Sequence, residues 1–336
     1  MTGVLEFGIP KLALAVLSPG GARGRLSILI FHRVLPAPDP LFPDEVDARR
    51  FDEMLRWCRA WLNVMPLDEA VRRLKAGSLP PRAAAITFDD GYTDNRTVAL
   101  PLLQKHKLSA TFFIATGFLD GGRMWNDSII ESVRATNSSH LGCETAGISP
   151  LAVGTLDEKR TALSTLIPKI KHLPAAQRAE AVSEIAELAG AVLPDDLMMT
   201  STQVKELRAA GMVVGAHTVN HPILARLDQQ SARQEIATSK DVLDAILGEK
   251  VSLFAYPNGK FETDYCREHV EMVRGLGFDA AVATNWGAAG VSCDPFQLPR
   301  FTPWDTGALK FGLRLAANLR RDYPGARLPP VRPSTS

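Results

Sequence analysis

Three features of the 336-residue chain predict an α/β fold, with a parallel sheet covered on both faces or closed as a barrel. Short β-branched and aliphatic runs recur along it, stretches with helical periodicity separate them, and the unusual polar residues fall just after the runs.

The elements can be justified in order. "LSILIFHRVL" (26–35) is apolar enough for a fully buried strand, and "DARRFDEMLRWCRAWL" after it is apolar at helical spacing. "AAAITF" (83–88) is the next strand, followed by a helix over 94–106 and a third strand in "SATFFIAT" (109–116). The interval 118–197 shows no clear strand. Its segments "DEKRTALSTLIPKIKHL" and "AAQRAEAVSEIAELAGAVL" have one-sided apolar patterning, which predicts a helical insertion. Thr200 and Gln203 form a capping-box pattern and Gly211 stands where a C-terminal cap belongs, so "STQVKELRAA" is a helix that hands over to a strand in "MVVGAHT" (212–218). "SLFAYP" (252–257) and "FDAAVAT" (278–284) complete the series, and the Pro-, Arg- and Ser-rich end, "RRDYPGARLPPVRPSTS", is expected to be disordered.

Composition narrows the function classes. Lys and Arg total 38 against 37 Asp and Glu, so there is no net basic field to hold a nucleic acid. The four cysteines, Cys58, Cys143, Cys266 and Cys293, lack the spacing of a zinc site or a disulfide framework and read as small apolar residues. The apolar patch in "KLALAVLSPGGARG" falls short of a signal-peptide core, and no apolar run approaches the roughly 20 residues of a membrane helix. The chain is therefore expected in the cytoplasm, without a transmembrane segment and at most peripheral to a membrane.

In parallel α/β folds, ligands sit beyond the carboxyl ends of the strands. His32, the pair Asp89 and Asp90, His217 with His221, Pro257 with Asn258, and Asn285 with Trp286 all fall there. Two adjacent acids are costly unless a positive group lies between them or one stays protonated. "HTVNH" (217–221) offers two imidazoles in a loop closed by Pro222, and one carboxylate of the aspartate pair would complete a two-His, one-carboxylate site for a divalent metal such as zinc or cobalt. Gly91 allows the chain to turn sharply, so both acids can reach one site although strand neighbours point apart.

"TFDDGY", "HTVNH" and "FAYPNG", in this order on a β/α chain, resemble the successive motifs of the polysaccharide deacetylase family, the NodB-homology domain of carbohydrate esterase family four. The resemblance spans about 26–305, with the insertion at about 118–197 inside it. It leaves 1–25 as an N-terminal extension and 306–336 as a C-terminal helix and tail. It implies a distorted (β/α) barrel that hydrolyses N-acetyl groups on sugar units of a polysaccharide, oligosaccharide or precursor with one bound metal. By the same resemblance Asp89 is the catalytic base, Asp90, His217 and His221 hold the metal, and a backbone N–H near Asn258 receives the oxyanion.

Two positions depart from the family pattern. Ala255 stands where an arginine commonly tethers the base, and "LPRF" places Leu298, Pro299 and Arg300 where a Leu-x-His triplet ends in the general acid. Arginine stays protonated and cannot deliver a proton, so Arg300 is left to steady Asp89 or to bind a sugar hydroxyl. His32 becomes the expected acid: it is the only other histidine predicted on the active face, and it resembles a strand-one histidine of exopolysaccharide-modifying members. Tyr92, Pro257, Asn258, Arg300, Trp286 and Trp125 are the expected substrate contacts, with Trp304 and Leu224 as further wall of an acetyl pocket. The alternatives are a metal-independent amidohydrolase acting on a small amide, a catalytically silent glycan-binding protein of the same fold, and a two-His, one-carboxylate iron oxygenase, which the second aspartate fits poorly.

Overall fold

The computed structural model describes residues 2–321 and 323, and the side chains of 2–9 are left aside. The chain forms two compact units. One takes the described residues of Met1–Pro36, Val46–Leu119 and Met199–Ser336, and the other takes Ala37–Glu45 and Asp120–Met198. The disordered tail expected at the C-terminus lies, apart from its first residues, outside the described residues.

The first unit opens with α1 (Thr2–Leu17), β1 (Ser27–Phe31), α2 (Ala48–Trp61), the two-residue β2 (Asn63–Val64), α3 (Leu67–Lys75) and β3 (Ala83–Phe88). The Asp47 carboxylate caps α2 by accepting from Arg50 N at 2.7 Å. The helix expected over 94–106 is split, with a π-helical turn over Asn95–Ala99 leading into α4 (Leu100–His106). Pro101 has no N–H for the α-helical ladder, and Leu100 N instead bonds five residues back to Asn95 O. Then comes β4 (Thr111–Ile114).

The second unit holds α5 (Trp125–Ala135), a hairpin of β5 (His140–Cys143) and β6 (Ile148–Ala152), α6 (Leu156–Lys171) and α7 (Ala175–Ala189). Ile129, Val133, Leu141, Leu163, Leu166, Ile170 and Ile185 form its own apolar core, and Leu41 joins them from the 37–45 segment. The hairpin corrects the purely helical reading of the interval. Its strands carry Gly142 and Pro150 and bury few side chains, so they lack the alternation that would have revealed them.

The first unit resumes with α8 (Ser201–Ala209), whose Thr200–Gln203 capping box is formed, then β7 (Val213–Ala216), α9 (Gln229–Leu247), β8 (Leu253–Ala255), α10 (Arg267–Gly275), β9 (Ala280–Val282) and α11 (Ala308–Leu319). The strands lie in the order β1-β3-β4-β7-β8-β9, all parallel, with β2 added beside β3. Both faces are buried. Ile28, Ala83, Ala85, Phe113, Leu253, Ala255 and Val282 pack on one, and Leu29, Ile86, Phe88, Phe112, Val214 and Phe254 on the other with the helices. An extended segment spans the two edges: Leu298 N donates to Ala281 O of β9 (2.9 Å) and Phe301 N to Ile28 O of β1 (2.7 Å). The sheet is thus curled into the expected distorted (β/α) barrel, and this segment carries Arg300 inward. The first and last described helices join the same body, because Gly312 of α11 lies against Pro10 of α1, and Leu14, Phe311 and Leu315 enter the main core. No helix among the described residues is long and apolar enough to cross a membrane, and none of the four cysteines is in a disulfide among the described residues.

Candidate active site

The site forms where β3 ends. Ala83, Ala85, Thr87 and Asp89 alternate onto one face of the strand, and on that alternation Asp90 would face the opposite way. Asp90 has φ +76° and Gly91 φ +92°, so the turn begins at the aspartate itself and redirects its carboxylate. Both acids are buried.

Arg300 meets Asp89 from across the barrel. Its Nη1 donates to Oδ1 at 2.7 Å and its Nη2 to Oδ2 at 2.6 Å, a bidentate pair, while Nε donates to Ala283 O at 2.8 Å and Nη1 also to Thr87 Oγ1 at 3.2 Å. The guanidinium is 0% exposed, so this charge must be paired where it stands. Burial opposes ionisation of Asp89, but Arg300, helped by His217 and His32, reverses that and holds the carboxyl below its ordinary range. Ala255 is buried and brings no charge of its own. The guanidinium missing there is supplied by Arg300.

The second acid faces two imidazoles. Asp90 Oδ1 lies 3.4 Å from His217 Nε2 and 3.5 Å from His221 Nε2. His217 Nδ1 donates to the Ala255 carbonyl at 2.7 Å, which fixes the tautomer and leaves Nε2 toward the acids. Burial disfavours the charged ring of His217, yet Asp89 and Asp90 outweigh it and hold that ring above its ordinary value. A bound cation would displace that proton. Burial pushes His221 down to about 4, so its ring is neutral at pH 7. Asp90, in contrast, is held low: burial opposes its charge, and His217, His221 and His32 overcome the penalty.

These residues fit a divalent cation. Asp90 Oδ1 is buried without a hydrogen-bond partner, a costly state for a carboxylate oxygen. The donor atoms of Asp90, His217 and His221 lie within 4.8 Å of one another. These separations of 3.4 and 3.5 Å match the edge of a tetrahedron with metal–ligand bonds of about 2.1 Å, and two imidazoles with one carboxylate is a ligand set that leaves a position open.

His32 follows β1 with its side chain exposed, directly after Phe31, whose carbonyl accepts from Asp89 N at 3.0 Å, so it stands at the strand ends that carry the aspartate pair. Two residues that the sequence reading gave no role hold the backbone there. Asn95 Nδ2 donates to His32 O at 2.8 Å, and the Asp94 carboxylate accepts from Val34 N at 3.0 Å and Arg33 Nε at 2.7 Å. Their only sequence signal is adjacency, since both follow "DDGYT" directly.

The other expected contacts are spread more widely. Tyr92 is buried with the Arg33 guanidinium 4.6 Å above its ring, Pro257 is buried, and Asn258 is half-buried with φ +59°. Trp286 and Trp304 are 38% and 46% exposed, 5.1 Å apart, with Arg314 4.0 Å from the centre of the Trp304 ring. Leu224 is wholly buried in the main core. Trp125 begins α5 in the second unit, half-buried and 5.5 Å from the Arg178 guanidinium.

A barrel with a two-His, one-carboxylate cluster and an adjacent buried aspartate held low in pKa offers a site suited to metal-dependent hydrolysis, and the family match supplies the bond class, an amide C–N bond. The polysaccharide deacetylase family model matches residues 76–151 and 173–280, more than half of the chain, and the protein belongs to that family. YxkH of Bacillus subtilis (strain 168) is 20% identical over 278 residues, 82% of this chain and 70% of that protein. Among solved structures, the deacetylase PplD of Streptococcus pyogenes in complex with acetate is 21% identical with a TM-score of 0.59, covering 88% of this chain and 99% of that one. IcaB from Ammonifex degensii is 21% identical with a TM-score of 0.54, covering 88% and 97%. At these identities the structural likeness establishes the fold.

Proposed function

We propose that the protein deacetylates N-acetylglucosamine-like units of a polysaccharide or its precursor, with zinc on Asp90, His217 and His221. The observation that carries this reading is the unpartnered Asp90 Oδ1 between two imidazoles, beside a carboxylate that Arg300 keeps ionised. A divalent ion bound there supplies Lewis acidity to the acetamide carbonyl and acidifies water. Asp89 takes the proton of the attacking water, and Arg300 holds both carboxylate oxygens so that the base keeps one orientation. His32, exposed at the rim, protonates the departing amine. Trp286 and Trp304, partly exposed with Arg314 over both rings, are proposed to border the sugar site, and Tyr92, Pro257 and Asn258 remain proposed contacts.

Stripping the metal tests the main reading. Acetate release from N-acetylglucosamine oligomers is expected to vanish after chelation and to return with zinc or cobalt. Undiminished release from protein shown to be metal-free would overturn it, and would favour the metal-independent amidohydrolase instead. For His32, replacement by alanine is expected to slow turnover about 10²- to 10⁴-fold on amides with a poor leaving group and much less on activated esters. Near-normal turnover on the poor leaving group would remove His32 from the proton path.

A further inference from the structure

We propose that Glu235, in the second turn of α9, is a positioning residue for the metal cluster: its carboxylate locks the 217–221 loop in the conformation that aims both imidazoles at Asp90. The inference rests on the metal-site reading above.

The loop is short and strained. Thr218 has φ +64° and His221 φ +50°, and neither is glycine, so both carry a Cβ into a region that disfavours it. Such a conformation persists only if its surroundings hold it. Between the two residues, Val219 N and Asn220 N both donate to Glu235 Oε2 at 2.9 Å, and Asn220 Nδ2 donates to Oε1 at 2.7 Å. One carboxylate therefore takes two consecutive backbone N–H groups and the side chain between the two histidines.

The opposite side of the loop is fixed as firmly. Thr116 N donates to Thr218 O at 3.1 Å and Gly117 N to Val219 O at 2.8 Å. A Cβ on Gly117 would stand 2.8 Å from that same carbonyl oxygen, so the strand-exit side leaves no slack. Within the loop, His221 N donates to Thr218 Oγ1 at 3.1 Å. The carbonyls thus face the end of β4, the N–H groups face Glu235, and the histidines stand at either end of a clamped segment. Without Glu235 the amides turn to water and the left-handed residues can relax, which swings His221 relative to Asp90. Glu235 also lies well inside α9, beyond the first turn where a carboxylate would serve the helix's own unpaired N–H groups. Its carboxylate serves the loop.

The test uses the full-length chain and zinc alone, with affinity measured by chelator competition and melting measured on metal-free protein. Glu235→Ala is expected to weaken zinc binding about 10- to 100-fold while metal-free melting is little changed. Glu235→Gln should fall between wild type and alanine, because its amide oxygen still accepts the backbone pair while its NH₂ opposes Asn220. Asn220→Ala should show a smaller loss. Zinc affinity of Glu235→Ala within about twofold of wild type, or a fall in metal-free melting with affinity of the folded protein unchanged, overturns the proposal. If Glu235→Ala does not fold, Glu235→Gln and Asn220→Ala decide: graded losses uphold it, and wild-type affinity in both overturns it. Asp90→Asn is the control. Should that variant bind zinc as tightly as wild type, the ligand assignment itself fails, an outcome separable from failure of Glu235 alone.

Discussion

Replacing Asp89 by asparagine is expected to lower acetate release about 10²- to 10⁴-fold, the range for losing a positioned general base, while the protein still takes up one zinc ion. Asparagine nearly matches aspartate in shape and keeps an acceptor oxygen for Arg300, but it cannot receive a proton from water. The proposed ligand atoms belong to Asp90, His217 and His221, so metal content measured by mass spectrometry should stay at wild-type level. Asp90→Asn should do the reverse and fail at metal uptake. The two adjacent aspartates would then separate by assay, one lost in turnover and the other in binding. Near-normal turnover of Asp89→Asn would exclude it as the base and leave the adjacent acids without an explanation.

The second large effect is expected at Arg300. Arg300→Met should cost about 3–5 kcal/mol in urea unfolding, because it leaves the buried Asp89 carboxylate without its counter-charge. The Asp89→Leu/Arg300→Met double variant should recover much of that loss, since an apolar pair of similar volume carries no desolvation penalty. It should also be inactive. Arg300→Lys is expected to rescue only in part, as an ammonium cannot reproduce the two-pronged contact at 2.6 and 2.7 Å. Activity gives an independent reading with a definite sign. Burial raises the pKa of Asp89 and Arg300 is the largest of the groups that lower it, so removing the arginine leaves only His217 and His32 against burial and shifts the carboxyl toward its protonated form. The acidic limb of the pH profile of kcat/KM in Arg300→Met should therefore move to higher pH. An unchanged limb together with unchanged urea stability would show that the pair contributes neither to the base nor to the fold.

This pairing also clarifies the departures in the sequence. Ala255 removes a base-tethering arginine and Arg300 removes a histidine acid, and read one at a time the two look like a damaged enzyme. The structure shows that they belong together. Arg300 occupies the buried place beside Asp89, and His32 remains exposed at the rim, free of that duty. The catalytically silent glycan-binding reading loses its main support, because the base keeps a guanidinium partner.

Legibility varied with the range of the interaction that decided each feature. β3 was visible to the residue because a six-residue run, apolar except for Thr87, precedes two acids, a pattern contained in one short window. The Thr200–Gln203 box was equally local. The β5–β6 hairpin was not visible, because its strands are stabilised by packing on α7 and not by their own alternation. The π-turn at Asn95–Ala99 had a signal in Pro101, yet its consequence, Asn95 reaching His32 O, depends on β1 lying beside β3.

Taken alone, the amino-acid order determined the alternating strands and helices, the placement of the aspartate pair and both histidines at strand ends, and a two-His, one-carboxylate donor type that left the carboxylate open between Asp89 and Asp90. These follow from side-chain periodicity and from chemistry concentrated in a few adjacent positions. Only the tertiary structure decided which cation pairs with Asp89 and which acid braces the histidine loop. Arg300 stands 211 residues from its partner, and Glu235 reaches back from α9 to amides 16 and 15 residues before it. Both contacts exist because the sheet curls until its edges meet one segment and α9 packs beside β7, and long-range closure of that kind leaves no periodic trace in the chain.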